Sequence, residues 1–272
     1  MVCFGDSLSD VGNTNSVTFG FAPGSGYYQG RFSNGPVWVE NLAPLLSVPV
    51  PVRSTNGGRN YAYGGAKTGS GFTSLVIRNM SNQVDQFLGA SNPTNTDVIT
   101  VWIAANDYLD GTPNYTTIAQ RVASDITKLY NRGGRTFVVP NLPLLGYTPR
   151  YLGTADEATK NSITQQYNAA LETQLVALDA MPGIRIVRMD TAKLIDRIRT
   201  NSLAYGFFNV TAQAKGLGGI DADTYLFWDD VHPTRRAHAL LAAYAADSVR
   251  FVTSQVTTRS RFGDSLPDMR NP

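Results

Sequence analysis

Apolar positions along the chain fall into two rhythms. Short apolar runs, "MVCF" at 1–4, "DVITVWIA" at 97–104, "TFVVP" at 136–140 and "IRIVRM" at 184–189, read as strands, and 97–104 is apolar almost throughout, as a strand covered on both faces is. A weaker run, "NYAY" at 60–63, suggests one strand more. Between these runs, apolar residues recur three and four apart and predict helices over about 36–46, 81–90, 115–132, 155–180 and 233–250. The last of these opens with Pro233, a residue suited to the start of a helix.

Strands alternating with helices build parallel β-α-β units with helices on both faces. In such sheets reactive groups gather at the carboxyl ends of the strands. Segments 11–35 and 202–224 are rich in Gly, Asn and aromatic residues and read as loops able to shape a pocket. The last twenty residues, 253–272, lose all periodicity, which predicts a single domain over 1–252 followed by a polar, poorly ordered tail.

Composition narrows the function classes. A chain of 272 residues has the size of one large domain and buries an ample core. Its net charge of +2 comes without a basic block or an acidic run, so nothing points to nucleic acid or a charged membrane surface. No apolar run approaches the ~20 residues of a membrane-spanning helix. The single cysteine, Cys3, excludes an intrachain disulfide. The chain opens without the charged region, apolar stretch and small-residue site of a signal peptide. A sequence trimmed of its signal and given Met1 would open this way, so a secreted or periplasmic protein is expected, with the cytoplasm left open.

Candidate chemistry starts from the two histidines. "WDDVHPT" (228–234) places Asp229 three residues before His232, within reach of one ring nitrogen, which leaves the other for a nucleophile. A serine hydroxyl needs such a base, and the base needs an orienting acid. Ser7, directly after the first strand, fits as the third partner. A surface turn with a loop histidine is the plain alternative for the D-x-x-H. His238 lies beside "RR" on an apolar helical stripe and reads as structural. Acyl transfer also needs donors for a developing oxyanion. "GGRNYAYGGAKTGSG" (57–71) offers backbone N–H groups, and Asn106 follows the strongest strand. The glycine loop imitates a phosphate-binding loop but lacks its Gly-Lys-[Ser/Thr] ending, because Ala66 precedes Lys67.

In this order, "FGDSLSD" (4–10), "NYAYGGA", "ANDYL" and "DDVHP" resemble the four sequence blocks of the GDSL lipase/esterase family, the SGNH hydrolases. "GYYQGRFSNGPVWVENLA" (26–43) also resembles the segment after the first block in longer members. The resemblance implies an α/β/α sandwich around a parallel, flavodoxin-like sheet of about five strands. It implies ester hydrolysis through an acyl-enzyme, with no cofactor and no metal. Ser7 would be the nucleophile, His232 the base and Asp229, rather than Asp230, the orienting acid. The oxyanion donors would be the Ser7 N–H, Gly65 or its neighbour Gly64, and the Asn106 amide. Ala104 departs from the family's usual Gly-x-Asn-Asp. No G-x-S-x-G elbow occurs, which disfavours the α/β-hydrolase fold.

The expected substrate is a small-molecule or lipid ester, with acetylated carbohydrate as the alternative. A catalytically silent ester- or sugar-binding protein on the same fold is the reading from a different class. Tyr27, Tyr28, Phe32, Trp38 and Tyr63 are candidates for lining the substrate site, against ordinary core and loop packing. A second copy of the first block, "FGDSLPD" (262–268), follows a polar stretch. It lacks any later base and replaces Ser9 with Pro267, so Ser265 is expected to be inert.

Overall fold

The computed structural model describes residues 1–109, 111 and 114–263, and the side chains as far as 254 apart from those omitted positions. Eight helices and eight strands occur among them. The strands are β1 (Val2–Gly5), β2 (Phe72–Thr73), β3 (Ile77–Arg78), β4 (Val98–Trp102), β5 (Thr136–Pro140), β6 (Arg185–Met189), β7 (Asn209–Gln213) and β8 (Tyr225–Phe227). The helices are α1 (Asn13–Val17), α2 (Trp38–Leu45), α3 (Met80–Ala90), α4 (Ala105–Leu109), α5 (Tyr115–Asn131), α6 (Glu157–Leu178), α7 (Thr191–Thr200) and α8 (Arg235–Gly263).

The central sheet is parallel, in the order β1-β4-β5-β6. Its four strands are the four strong apolar runs, and nearly every residue in them is buried because helices cover both faces. α2 packs on α8, while α5 packs on both α3 and α6. The expected fifth strand is not formed. Residues 59–63 run beside β1, with Cys3 N–H donating to Arg59 O (3.0 Å) and Tyr61 N–H to Cys3 O (2.7 Å). Tyr63 N–H continues the pairing on Gly5 O (3.1 Å), but only Asn60 forms a bridge, to Cys3, and the segment turns into Gly64 and Gly65 directly after Tyr63.

α8 continues past the expected boundary at 252 as far as Gly263. "TSQVTTRSRF" contains no Pro and no Gly to stop a helix, and the first glycine after it is Gly263 itself. Ser265 lies outside the described residues. No described helix is long and apolar enough to cross a membrane.

The buried apolar residues form one large cluster around the sheet and a small one of Ile195, Ile198, Phe207, Leu226, Phe227 and Ala237 under α7 and β8. The gap between these clusters opens at the carboxyl end of the sheet, beside Ser7 and His232.

Candidate active site

β1 runs straight into the turn that carries Ser7. Gly5 has φ +152°, and a Cβ there would stand 2.3 Å from the Trp102 carbonyl oxygen, so only glycine lets β1 pass β4 this closely. Gln83 clasps the same residue from α3: Gly5 N–H donates to Gln83 Oε1 (2.9 Å), and Gln83 Nε2 donates to Gly5 O (2.8 Å). Beyond Ser7, the Asp10 carboxylate accepts from the N–H groups of Gly12 (2.8 Å), Asn13 (2.7 Å), Thr14 (3.1 Å) and Gly64 (2.9 Å). One buried side chain thereby ties the serine turn to the glycine loop. Asn60 adds a second tie, donating to Ser9 O at 2.8 Å.

His232 meets the serine across the sheet end. Its Nε2 lies 2.8 Å from Ser7 Oγ, and its Nδ1 lies 2.7 Å from Asp229 Oδ2. Asp229 Oδ1 accepts from the N–H groups of Val231 (2.9 Å) and His232 (2.7 Å), a local turn made possible by the D-x-x-H spacing. Asp230 instead pairs with Arg150 at 2.7 Å on the surface. Burial pushes the Asp229 carboxyl up, but the charge and ring bond of His232 and the Tyr27 hydroxyl outweigh it, holding the acid below its ordinary range.

The glycine and asparagine loops are drawn together. Thr68 N–H and Oγ1 donate to Asp107 at 3.0 and 2.8 Å, and Asn106 Nδ2 donates to Ala66 O at 2.9 Å. That bond uses one of the two amide hydrogens of Asn106. The Gly64 N–H is taken by Asp10, and a Cβ at Gly64 would collide with the Phe32 ring at 2.1 Å. Gly65 has φ +82° with open space where a Cβ would stand, and its N–H has no hydrogen-bond partner among the described residues. The Ser7 N–H is likewise unpartnered among them. Ala104, where the resemblance leads one to expect glycine, is fully buried at φ +102°, a conformation costly for any side chain.

The five aromatic candidates separate. Tyr27 donates its hydroxyl to Asp229 Oδ2 at 2.6 Å, behind the acid. Burial first, then the Asp229 bond, hold this phenol protonated. Phe32 packs on the His232 ring at 5.2 Å between centroids, and Tyr28 lies at the surface beside Arg31. Trp38 and Tyr63 are core residues. Trp38 packs edge-on against Trp102 and donates to Ser9 Oγ at 3.0 Å, and Tyr63 is sealed inside the main cluster. Their size made burial the better use of them.

None of the five lines the cavity beside Ser7. Its walls are Leu8, Leu142, Leu144, Ile195, Phe227 and Val231, together with other apolar residues of both clusters. Asp6 also borders it, with one carboxylate oxygen bonded to Leu8 N–H (3.1 Å) and the other without a partner. Burial pushes its carboxyl up to about 7. His238 is buried away from the cavity, accepts from Trp38 N–H at 3.2 Å, and is lowered by burial to about 3, so it stays neutral.

Sequence patterning carried a signal for one residue it did not single out. Met80, Gln83, Val84 and Phe87 recur at helical spacing on the buried face of α3, and a glutamine on such a stripe needs polar partners. The cavity wall from 142 to 145 had no such mark, since apolar loop residues look like ordinary packing.

Comparison with known proteins agrees with the geometry. The profile of the GDSL-like lipase/acylhydrolase family matches residues 1–245. The chain belongs to that family. As a GDSL-type protein it is a carboxylic ester hydrolase. It is 28% identical to a GDSL esterase/lipase of Arabidopsis thaliana over 90% of this chain and 81% of that one. It is also 28% identical to a phosphatidylcholine-sterol acyltransferase of Aeromonas hydrophila, over 94% and 90% of the two chains. The fold recurs in a lipolytic G-D-S-L protein from Veillonella parvula, with a TM-score of 0.53 and 16% identity over 91% of this chain and 96% of that one. It recurs also in a carbohydrate acetylesterase from Sinorhizobium meliloti, with a TM-score of 0.54 and 14% identity over 92% and 97%.

Proposed function

We propose that this GDSL hydrolase cleaves carboxylic esters of hydrocarbon acyl chains through an acyl-enzyme on Ser7. The observation that carries the reading is the unbroken chain Ser7 Oγ, His232 Nε2, His232 Nδ1, Asp229 Oδ2, with its links at 2.8 and 2.7 Å. As Ser7 Oγ attacks the ester carbon, His232 Nε2 takes its proton and Asp229 holds the imidazolium that forms. The carbonyl oxygen becomes an oxyanion facing the N–H groups of Ser7 and Gly65 and the remaining amide hydrogen of Asn106. When the tetrahedral adduct collapses, His232 returns the proton to the leaving alcohol. Water then repeats the sequence on the acyl-enzyme and releases the acid.

The apolar walls beside Ser7 support a hydrocarbon acyl group in preference to a sugar. Their free volume is about 70 Å³, which suits a short acyl chain. We expect p-nitrophenyl butyrate to be turned over, and the Ser7→Ala and His232→Ala variants each to lose about 10⁴-fold or more in kcat while still folded. Activity of His232→Ala within tenfold of the parent would refute the assignment. Release of acetate from acetylated xylan faster than butyrate from its p-nitrophenyl ester would favour the carbohydrate alternative.

A further inference from the structure

The turn that presents Ser7 hangs on the residue before it. Asp6 Oδ1 accepts from Leu8 N–H (3.1 Å), and the Asp6 carbonyl accepts from the N–H groups of Ser9 (3.1 Å) and Asp10 (3.0 Å). The first of these bonds closes an Asx turn, in which a side-chain oxygen takes the N–H two residues on. Asp6 thus occupies every N–H from Leu8 to Asp10. The Ser7 N–H between them has no partner among the described residues, and it is one of the donors assigned above to the oxyanion.

The other carboxyl oxygen, Oδ2, has a different setting. Asp6 is fully buried on the border of the cavity, and Oδ2 has no hydrogen-bond partner among the described residues. The titratable groups that face the carboxyl are His232 from loop 228–234, Asp107 from α4 and Tyr167 from α6. None of them donates to it. His232 has Nδ1 on Asp229 and Nε2 on Ser7. The Asp107 carboxylate accepts from Thr68, and the Tyr167 hydroxyl donates to Ile103 O at 3.4 Å. An ionised oxygen without a donor is costly in such a place, and a protonated one much less so. Burial, the largest influence on this carboxyl, pushes it in the same direction.

We infer that Asp6 is a positioning residue for the oxyanion hole, a neutral acid whose Oδ1 holds the turn so that the Ser7 N–H stays free for the oxyanion. Neutrality matters because a carboxylate in the same turn would oppose the charge that develops on the ester oxygen, and a buried site screens that opposition weakly. The inference rests on the acyl-enzyme reading of Ser7 and adds to it a residue that never touches the ester.

The test compares the full chain with Asp6→Ala and Asp6→Asn on p-nitrophenyl butyrate, from about pH 6 to pH 9. Asp6→Ala removes the acceptor for Leu8 N–H and should lose about ten- to a hundredfold in kcat, with KM changed by less than about twofold. Asparagine keeps the accepting oxygen and carries no charge at any pH, so Asp6→Asn should recover at least about tenfold of that loss. The parent's kcat should rise as His232 loses its proton and fall again at alkaline pH as Asp6 ionises, and this alkaline fall should be missing from Asp6→Asn. Equal losses in the two variants, or an alkaline fall that persists in Asp6→Asn, would overturn the inference. So would a lowered melting temperature in Asp6→Ala with kcat intact, the mark of a structural role alone. Should Asp6→Ala not fold, the carboxyl ¹³C resonance of Asp6, assigned by its absence from Asp6→Asn, decides without turnover. Titration near pH 7 is expected, and titration in the ordinary carboxylate range would overturn the neutral acid. The acyl-enzyme reading fails separately: Ser7→Ala that turns over like the parent would refute it whatever the Asp6 variants do. Loss in Ser7→Ala beside an unaffected Asp6→Ala would overturn the role of Asp6 alone.

Discussion

The serine and the histidine of this site rest on different kinds of support. Around Ser7 the chain is held by buried polar groups: Gln83 on Gly5, Asp10 on four backbone N–H groups and Asn60 on Ser9. Gln83, Asp10 and Asn60 are all fully buried, so each bond is made where water cannot replace it. Around His232 the support is a half-buried loop, 228–234, whose end is fixed by Ser33 on the Pro233 carbonyl (2.8 Å) and Thr234 on the Tyr225 carbonyl (2.7 Å), while the ring itself is held by Asp229 and by aromatic side chains from the 27–32 segment. Ser7 is therefore placed by the same contacts that hold the domain together, whereas the His232 ring is oriented by side chains, Asp229, Tyr27 and Phe32, that can be altered singly. Defects on the serine side should register first as lost stability, and defects on the histidine side as altered rate and pH dependence.

Asn106→Ala should give the largest kinetic effect of the supporting residues, lowering kcat by roughly 10²–10³ with little change in KM, since an oxyanion bond strengthens only in the transition state. Steady-state kinetics on p-nitrophenyl butyrate checks this, and a change confined to KM would move Asn106 from the oxyanion to substrate binding. Gln83→Leu tests the serine side. It strands the buried N–H of Gly5, whose carbonyl still accepts from the Tyr63 N–H (3.1 Å), at about 1–3 kcal/mol, so the melting temperature should fall by a few degrees. Thermal unfolding reads it, and an unchanged melting temperature would remove the distinction between the two supports.

Tyr27→Phe tests the histidine side and should be milder, about tenfold in kcat, on the scale of one hydrogen bond to a charged group. Its sharper signature is in pH. Without the phenol, Asp229 carries more of its charge toward the ring and holds the imidazolium more firmly. The acid limb of the kcat/KM profile should then move to higher pH, with the melting temperature nearly constant. An unmoved limb with a lowered melting temperature would make Tyr27 a packing residue only.

Much of this arrangement was legible in the chain because its signals are local. Four apolar runs became the four sheet strands, and D-x-x-H spacing alone placed Asp229 against His232. What was not legible depends on contacts between distant segments. Tyr27 reaches Asp229 across 202 positions, so an aromatic expected at the substrate lies behind the acid instead. Trp38 and Tyr63 looked like site residues because aromatic side chains serve both roles, and the covering helices resolved them into core. α7 was missed because its first turn follows β6 directly, leaving a short pattern dominated by charged residues. The apolar cavity beside Ser7 arises only where two apolar clusters fail to close on each other, which no single segment records. The spacing from Asn60 already pointed to Gly65 rather than Gly64, and the Asp10 carboxylate on the Gly64 N–H is consistent with that choice.

The central claim, that one serine of the two GDSL copies is the nucleophile, is tested most directly by covalent labelling. The full chain is treated with a p-nitrophenyl phosphonate, digested, and the adduct located by mass spectrometry. A single adduct on Ser7, absent from Ser7→Ala and formed at a rate that collapses in His232→Ala, is the expected result. An adduct on Ser265, or labelling undiminished in Ser7→Ala, would contradict it.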